Sequence, residues 1–113
     1  MKTIKNKKEI DEIFKNNKKI KNEYLLCLYN YSEEPKFLFT VQKTDKLNAV
    51  KRNLIKRKLR EIALKIKNTE YNIVLIGNKK LIDLKNYEII INQINNEINK
   101  TGKFANKIKE SLI

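Results

Sequence analysis

The chain has 113 residues, of which 41% are apolar and 35% charged, and its formal net charge is +13. This length and apolar content indicate one folded domain over residues 1–113 with a modest core, and they argue against a disordered tail. A charge so far from zero attracts polyanions, so the natural partner is nucleic acid or an acidic membrane surface.

Three features favour a cytoplasmic protein. The basic N-terminus, MKTIKNKKEI, is not followed by the apolar stretch of a signal peptide. No apolar run approaches the roughly 18 residues that a membrane span requires. Cys27 is the only cysteine, so no intrachain disulfide can form, and the apolar run around it indicates packing rather than reactivity.

The first half of the chain predicts one helix and two strands. Apolar residues at helical spacing predict a short amphipathic helix over residues 7–16. The lysines of residues 18–21 (KKIK) are interpreted as a solvated basic run. Residues 23–31 (EYLLCLYNY) and 37–42 (FLFTVQ) are apolar and aromatic over the length of a strand, and residues 32–36 (SEEPK) predict a hairpin turn between them.

The second half predicts a long helix over residues 48–67, with Asn48 as its N-cap. A buried strand over residues 71–76 follows, and another helix begins at residue 83 or 84. The apolar stripe of that helix comprises Leu84, Tyr87, Ile91, Ile94 and Ile98. Residues 101–113 form a basic, weakly amphipathic tail. This order of elements predicts an α+β fold in which helices pack on a small sheet.

Arginine is confined to the predicted long helix. Only three of the 26 basic residues are Arg, and all three lie in AVKRNLIKRKLRE, residues 49–61. The guanidinium group is a rigid fork that binds phosphate in bidentate geometry, whereas the lysine ammonium is a flexible point charge. Five polar residues of this helix fall within an arc of roughly 140°, and we call them the cationic ridge: Arg52, Asn53, Lys56, Arg57 and Arg60. We expect the ridge to contact the phosphates of a nucleic acid rather than only to be solvated.

The neighbouring arc of the same helix is apolar and is expected to face the core. Its residues are Ile55, Leu59, Ile62, Ala63 and Ile66. Lys51 and Lys58 point away from the ridge and are interpreted as general electrostatics.

The sequence lacks the groups of a self-sufficient active site. It contains no histidine, which excludes histidine-based acid–base and metal chemistry. Two glycines cannot form a Gly-rich phosphate loop. The 13 carboxylates are scattered among lysines, which is typical of solvated surface positions. We therefore expect no catalytic residue and no metal site in the protein.

Residues 49–61 resemble the hallmark helix of the protein subunit of bacterial ribonuclease P. The family pattern is Ala-Val-x-Arg-Asn-x-x-Lys-Arg-x-x-Arg-Glu, which this segment follows through Glu61. The family's order of short helix, two strands, motif helix, apolar strand and closing helix can be threaded over residues 4–100. Leu54 and Ile76 depart from the family, which usually has Arg at both positions.

The resemblance implies a mixed four-stranded sheet packed by about three helices, with a left-handed βαβ crossover, in the ribosomal protein S5 domain 2-like fold. It also implies that the protein binds the catalytic RNA of ribonuclease P and the 5′ leader of precursor tRNA. The RNA, with bound Mg²⁺, would carry out endonucleolytic removal of the leader in tRNA processing. The protein would be an accessory subunit that binds no cofactor by itself and requires no protein partner.

The resemblance implies site residues as well. The cationic ridge and Lys43 would contact RNA. In the family, single-stranded leader lies in a cleft between the first helix and the sheet, where aromatic side chains stack on bases. The matching positions are Phe14, Leu26, Leu28, Thr40 and Gln42. For Phe14, core packing is an equal alternative, and Tyr24, Phe37 and Phe39 are expected to belong to the core.

Other functions share the basic helix. A structural RNA-binding protein of the ribosomal type would differ only in its partner. A DNA-binding regulator would use residues 48–66 as a recognition helix, but the preceding segment is strand-like and shows no short helix and tight turn. A protein-only nuclease is disfavoured by the missing histidine and by the absence of a carboxylate cluster.

Overall fold

A computed structural model describes residues 3–15, 17–43, 46–66 and 70–111, with side chains up to residue 99. The elements in chain order are α1 (Lys7–Lys15), β1 (Lys18–Lys21), β2 (Leu25–Tyr31), β3 (Phe37–Val41), α2 (Ala49–Leu64), β4 (Tyr71–Gly77), a 3₁₀ helix (Lys79–Asp83) and α3 (Glu88–Ser111). The described chain therefore has the predicted α+β architecture, with a four-stranded mixed sheet and three α-helices.

The order of strands in the sheet is β1-β2-β4-β3. β2 pairs with β1 and with β4 in antiparallel orientation, whereas β3 pairs with β4 in parallel. The predicted hairpin between β2 and β3 is therefore wrong, because β4 lies between them. β4 is apolar and buried on both faces, which suits a central strand. The parallel pair is joined through α2, as a βαβ unit requires, and the left hand of this crossover stays a prediction.

β1 is the strand that the sequence pattern did not predict. Ile20 is buried and pairs with Cys27, while the three lysines of the strand are exposed. A single apolar residue gives too little alternation to distinguish a strand from a solvated run. Lysines are common on edge strands because their charge opposes pairing with another chain.

α2 begins as predicted. The Asn48 Oδ1 accepts a hydrogen bond from the Lys51 backbone N–H at 2.9 Å, which confirms the N-cap. The helix ends at Leu64 with Lys65 as its C-cap. The predicted end of this helix at Lys67, and that of the first helix at residue 16, lie outside the described residues.

α3 begins at Glu88, later than predicted, because Leu84, which ends the 3₁₀ helix of residues 79–83, has an extended backbone (φ −75°, ψ 124°). The Asn86 Oδ1 accepts from the Glu88 backbone N–H at 3.0 Å at the start of α3. Leu84 and Tyr87 thus precede the helix, although both pack against the same core as its buried isoleucines. The helix continues to Ser111, through most of the segment predicted as a tail.

The two faces of the sheet carry separate cores. On one face, α2 and α3 pack against alternate residues of the strands, and the apolar arc predicted for α2 is buried as expected. On the other face, Ile4 and Ile13 of the N-terminal segment pack on Leu28 and Val74. The sheet therefore separates α1 from α2 and α3.

Gly77 permits the close contact between β4 and α2. A Cβ atom at this position would lie 2.6 Å from the Cγ2 of Ile55 and 3.3 Å from the Cδ1 of Leu59. The first distance is shorter than van der Waals contact allows, so any other residue would displace the Ile55 side chain or the helix that carries it.

Candidate functional site

The cationic ridge lies on the exposed face of α2. All five of its residues are exposed, whereas the apolar arc of the helix is buried. In the described part of the chain, no carboxylate forms a salt bridge with Arg52, Arg57 or Arg60. Each guanidinium carries five N–H donors in a planar fork. The ridge therefore presents hydrogen-bond donors to solvent, on a helix whose opposite side is packed against the core.

Glu61, the acidic residue of the motif, lies beside Tyr87, on the C-terminal half of α2. Burial, followed by the nearby charge of Glu61, raises the pKa of the Tyr87 hydroxyl. The two side chains both line a cavity of about 770 Å³ between α2 and the start of α3. Glu61 thus belongs to the junction between the two helices.

Lys58 has a structural role that the sequence did not indicate. Its Nζ donates hydrogen bonds to the carbonyl oxygens of Leu81 (3.2 Å), Ile82 (2.5 Å) and Leu84 (2.8 Å). These contacts use all three donors of the ammonium group and join α2 to the end of the 3₁₀ helix. Sequence reasoning missed them because the acceptors are backbone carbonyls, which carry no residue-type signal.

A groove of about 620 Å³ lies between α1 and the sheet. A row of directly paired residues crosses all four strands there: Lys21 pairs with Leu26, Leu26 with Ile76, and Ile76 with Thr40. Paired residues on neighbouring strands point to the same face of a sheet, so these four form one continuous row. We call this row the groove floor. Leu26, Ile76 and Thr40 are half-buried, and Lys21 is exposed at the β1 edge.

Leu28 lies on the same face of the sheet but not in the groove. It pairs with Val74, which pairs with Leu38, and this second row runs parallel to the groove floor. Ile13 of α1 covers the second row, which leaves Leu28 only 2% exposed. The prediction of Leu28 as a cleft residue is therefore corrected, because α1 buries it.

Phe14 forms a wall of the groove at the end of α1, with 49% of its surface exposed. The Asn17 Nδ2 donates to the carbonyl oxygens of Ile13 (2.7 Å) and Phe14 (3.2 Å), which closes the C-terminus of the helix. Phe14 is therefore held in place by its backbone while its ring stays accessible. This exposure favours a contact role over core packing.

Polar residues form the rim of the groove beyond the end of β3. Gln42 and Lys43 are exposed and line the groove there. Asn78 is fixed beside them, because its Nδ2 donates to the Glu23 carbonyl at 2.8 Å and its Oδ1 accepts from the Lys80 N–H at 2.9 Å. The predicted cleft residues Phe14, Leu26, Thr40 and Gln42 thus meet in one groove, together with Lys43.

The remaining candidate groups serve the interior. Tyr24, Phe37 and Phe39 pack against the core under α2 and α3, as predicted. Cys27 is buried, and burial raises the pKa of its thiol to about 12, so a reactive thiolate is absent at neutral pH. Among residues with described side chains, no three metal-ligating groups lie together. No helix in the described part of the chain is long and apolar enough to cross a membrane.

Comparison with known proteins gives a consistent family. A family model described as Ribonuclease P matches residues 1–102. The ribonuclease P protein component of Streptococcus agalactiae is 33% identical over 90 residues, which cover 77% of this chain and 82% of that protein. The corresponding component of Acholeplasma laidlawii is 35% identical over 78 residues, 66% of this chain and 67% of that protein.

Solved structures share the fold. The RNase P protein of Staphylococcus aureus superposes with a TM-score of 0.63 at 24% identity, covering 93% of this chain and 95% of that one. The RNase P protein from Thermotoga maritima gives a TM-score of 0.64 at 23% identity, covering 88% and 97% of the two chains.

Proposed function

The chain belongs to the ribonuclease P protein family, and on that premise we propose that it helps a catalytic RNA remove the 5′ leader from precursor tRNA. As a protein component of ribonuclease P it functions with the RNA of that complex. The comparisons with known proteins do not favour the alternative of a structural RNA-binding protein of the ribosomal type. In this proposal, the single domain contributes two RNA-binding regions and no catalytic residue.

The cationic ridge binds the RNA subunit. The observation that carries this assignment is the set of three exposed guanidinium groups that form no salt bridge within the described residues. Carboxylate partners within the protein would have neutralised these guanidinium groups. A flexible segment, unlike α2, would not hold them at fixed distances from one another. Bidentate contacts from such a ridge fix the register of a folded RNA backbone on the protein.

The groove binds the single-stranded leader. Support comes from the accessible ring of Phe14, the open floor beside α1 and the exposed Lys43 at the rim. Bases of a single strand can stack on such an aromatic ring, whereas the bases of a duplex are already stacked on each other. The protein thereby favours precursor over mature tRNA, because only the precursor carries a leader.

The chemical step belongs to the RNA and to the Mg²⁺ that the RNA holds. The sequence has no histidine, and the described residues bring no set of carboxylates together. Instead, the protein's +13 charge neutralises phosphates that would otherwise need more Mg²⁺ for close approach. We place this ribonucleoprotein in the cytoplasm, and it requires no further protein partner.

Reconstitution with a bacterial ribonuclease P RNA tests the proposal. Cleavage of a precursor tRNA is measured at limiting Mg²⁺, with and without the full chain. We expect the protein to raise kcat/KM and to lower the Mg²⁺ concentration needed for half-maximal rate. Binding of the holoenzyme to precursor and to mature tRNA, measured in parallel, should show tighter binding of the precursor only when the protein is present.

Two controls make the test decisive. An equal charge supplied as polylysine should not reproduce the preference for precursor, because it lacks the groove. A ribosomal-type role predicts tight binding to structured RNA with no change in cleavage or in precursor preference, and that result would overturn the proposal.

A further inference from the structure

The face of α2 that carries the cationic ridge ends in an apolar residue. At about 100° per residue, Leu64 falls within the same arc as the ridge, one turn beyond Arg60. Its side chain is nevertheless 68% exposed. An RNA backbone that follows the ridge therefore meets guanidinium donors up to Arg60 and an apolar surface after it. A phosphate gains no partner on that surface, whereas the largely apolar face of a base gains contact area.

Leu64 also lines the cavity of about 770 Å³ between α2 and the start of α3. Tyr87, which is half-buried, and Ile91, which is buried, add apolar surface to the same cavity. Both belong to or pack against the core, so this part of the cavity is fixed in shape. Ligand pockets typically enclose about 300–1,000 Å³, so the space is sufficient for one nucleotide.

The formal charges around this cavity cancel. Two carboxylates, those of Glu61 and Glu88, and two ammonium groups, those of Lys65 and Lys85, contribute to its lining. The cavity therefore lacks the excess of positive charge that attracts phosphates to the ridge. Since an ionised carboxylate only accepts hydrogen bonds, it repels a phosphate and attracts a neutral group that carries N–H donors.

Of the two carboxylates, that of Glu61 is the one available to a ligand. Glu88 lies in the first turn of α3, where the helix dipole stabilises a negative charge. Glu61 lies in the last turn of α2, where the dipole gives no such support. Its side chain is exposed and forms no salt bridge within the part of the chain that the structure describes.

We propose that the cavity between α2 and α3 is a third RNA-binding site, which takes one unpaired guanine of the RNA subunit. This inference rests on the proposed function, because it requires that the RNA subunit lies on the ridge. The base lies against Leu64 and Tyr87, and its phosphate stays on the ridge beside Arg60. The carboxylate of Glu61 accepts hydrogen bonds from the N1–H and N2–H groups of the base.

The choice of guanine follows from the hydrogen-bonding groups of the four bases. Unpaired bases are recognised on their Watson–Crick edges, while aromatic side chains contact their faces. On that edge guanine presents two adjacent N–H donors, which match the two oxygens of a carboxylate. Adenine, cytosine and uracil each place an acceptor next to the donor, and that acceptor would face the negative charge of Glu61.

Inosine substitution in the RNA subunit tests this site. Inosine lacks only the 2-amino group of guanosine, and partial substitution followed by selection for RNA that binds the full chain shows where that group matters. At one unpaired guanosine, inosine should lower affinity roughly ten- to hundredfold, the range for one hydrogen bond to a charged group. The penalty at this guanosine should disappear when the same RNA pool is selected with Glu61→Gln.

The variant itself gives a change opposite in sign to that expected from net charge. Glu61→Gln raises the net charge by one, so diffuse attraction alone would strengthen RNA binding. We expect binding about tenfold weaker instead, with an unchanged thermal unfolding temperature because the side chain is exposed. The matched control is Glu12→Gln, which adds the same charge at an exposed position of α1, across the sheet, and should not weaken binding.

A second variant tests the apolar contact without changing charge. Leu64→Ser should weaken binding of the RNA subunit several-fold and leave the slope of log affinity against log salt unchanged, because no phosphate contact is lost. Val50→Ser, at the other end of α2, removes an apolar side chain that is 77% exposed and should have no effect.

The contrary results have different meanings. If the full chain does not bind the RNA subunit, the proposed function fails. If it binds, but Glu61→Gln binds as tightly as Glu12→Gln or keeps the inosine penalty, the proposed function stands and the guanine site is refuted. A penalty found only for guanosines of precursor tRNA would refute the RNA subunit as the source of the base.

Discussion

The ridge and the groove are on opposite sides of one sheet and offer a nucleic acid different chemistry. The ridge presents three guanidinium groups on a helix surface, with its apolar support buried beneath it. The groove presents a half-buried floor of Leu26, Ile76 and Thr40, with lysine only at its edges. The first surface suits the phosphates of a folded RNA, and the second suits the bases of a single strand.

The strands connect these two regions because their side chains alternate between faces. On β2, Leu26 faces the groove while the next residue, Cys27, is buried under α2 and α3. On β4, Ile76 lies in the groove floor while Gly77 contacts α2. A period of two residues thus lets one short segment support both surfaces. Substitutions that affect only one surface can test whether their roles are as different as their chemistry.

The largest effect is expected for Arg57→Ala combined with Arg60→Ala. Two charge-assisted contacts are lost, so affinity for the RNA subunit should fall by about 3 kcal/mol, or roughly a hundredfold. The slope of log affinity against log salt should decrease by about two units. Filter binding over a salt series measures both quantities, and the thermal unfolding temperature should stay the same because both side chains are exposed.

A matched control for this pair is Lys51→Ala with Lys65→Ala, which removes the same charge from the two ends of α2. If the control lost as much affinity as the ridge variant, the ridge would act only as diffuse charge and the contrast with the groove would disappear.

Gly77→Ala should disturb both regions at once. The new Cβ would overlap the Cγ2 of Ile55, which the core can relieve only by shifting the Ile55 side chain or the helix that carries it. Overpacking of this kind typically costs about 1–3 kcal/mol, so we expect a loss of that size in the free energy of urea unfolding. Gly102→Ala, in α3, serves as a control for the general effect of replacing glycine. An unfolding free energy equal to that of the wild type would contradict the observed contact.

Lys58→Met separates structural charge from binding charge on the same helix. Methionine preserves the aliphatic stem but leaves the carbonyls of Leu81, Ile82 and Leu84 without their donor. The expected loss of stability is about 1–2 kcal/mol, with little change in RNA affinity at a temperature where the variant is folded. Its neighbour Arg57→Met should show the reverse behaviour. Equal effects of the two variants on binding would show that Lys58 also contacts RNA.

The smallest effect is expected for Asn17→Ala, which acts on the groove alone. The variant loses the two hydrogen bonds that close the end of α1 at Phe14, so Phe14 is held less firmly in the groove wall. We expect this to lower affinity for the leader by about 0.5–1 kcal/mol. The holoenzyme should therefore bind precursor tRNA a few times more weakly, while binding to mature tRNA is unchanged. A matched Asn6→Ala change at the other end of α1 should not alter this ratio, and a ratio unchanged in both variants would argue against the positioning role.

Sequence patterns were most informative where a residue type has a single main use. Arginine confined to one helix face, Asn48 before that helix and the apolar arc of α2 all predicted features that the structure contains. Patterns were least informative where pairing with a segment distant in the sequence decides which structure forms. The strand of residues 18–21 has one apolar residue and forms because β2 offers it an edge to pair with. The predicted hairpin was wrong because β4, which begins only at Tyr71, lies between β2 and β3.

The helices and most strands, the basic character of α2 and the lack of histidine chemistry could all be predicted from local sequence, because they depend on periodicity and residue type within short segments. Packing between distant segments was needed to reveal that Leu28 is buried while Leu26 is open, that Lys58 holds the 3₁₀ helix, and that Lys21, Ile76 and Thr40 share one row. These features depend on the register between distant segments and on backbone carbonyl oxygens as hydrogen-bond acceptors. Neither can be read from the residue types within a short segment.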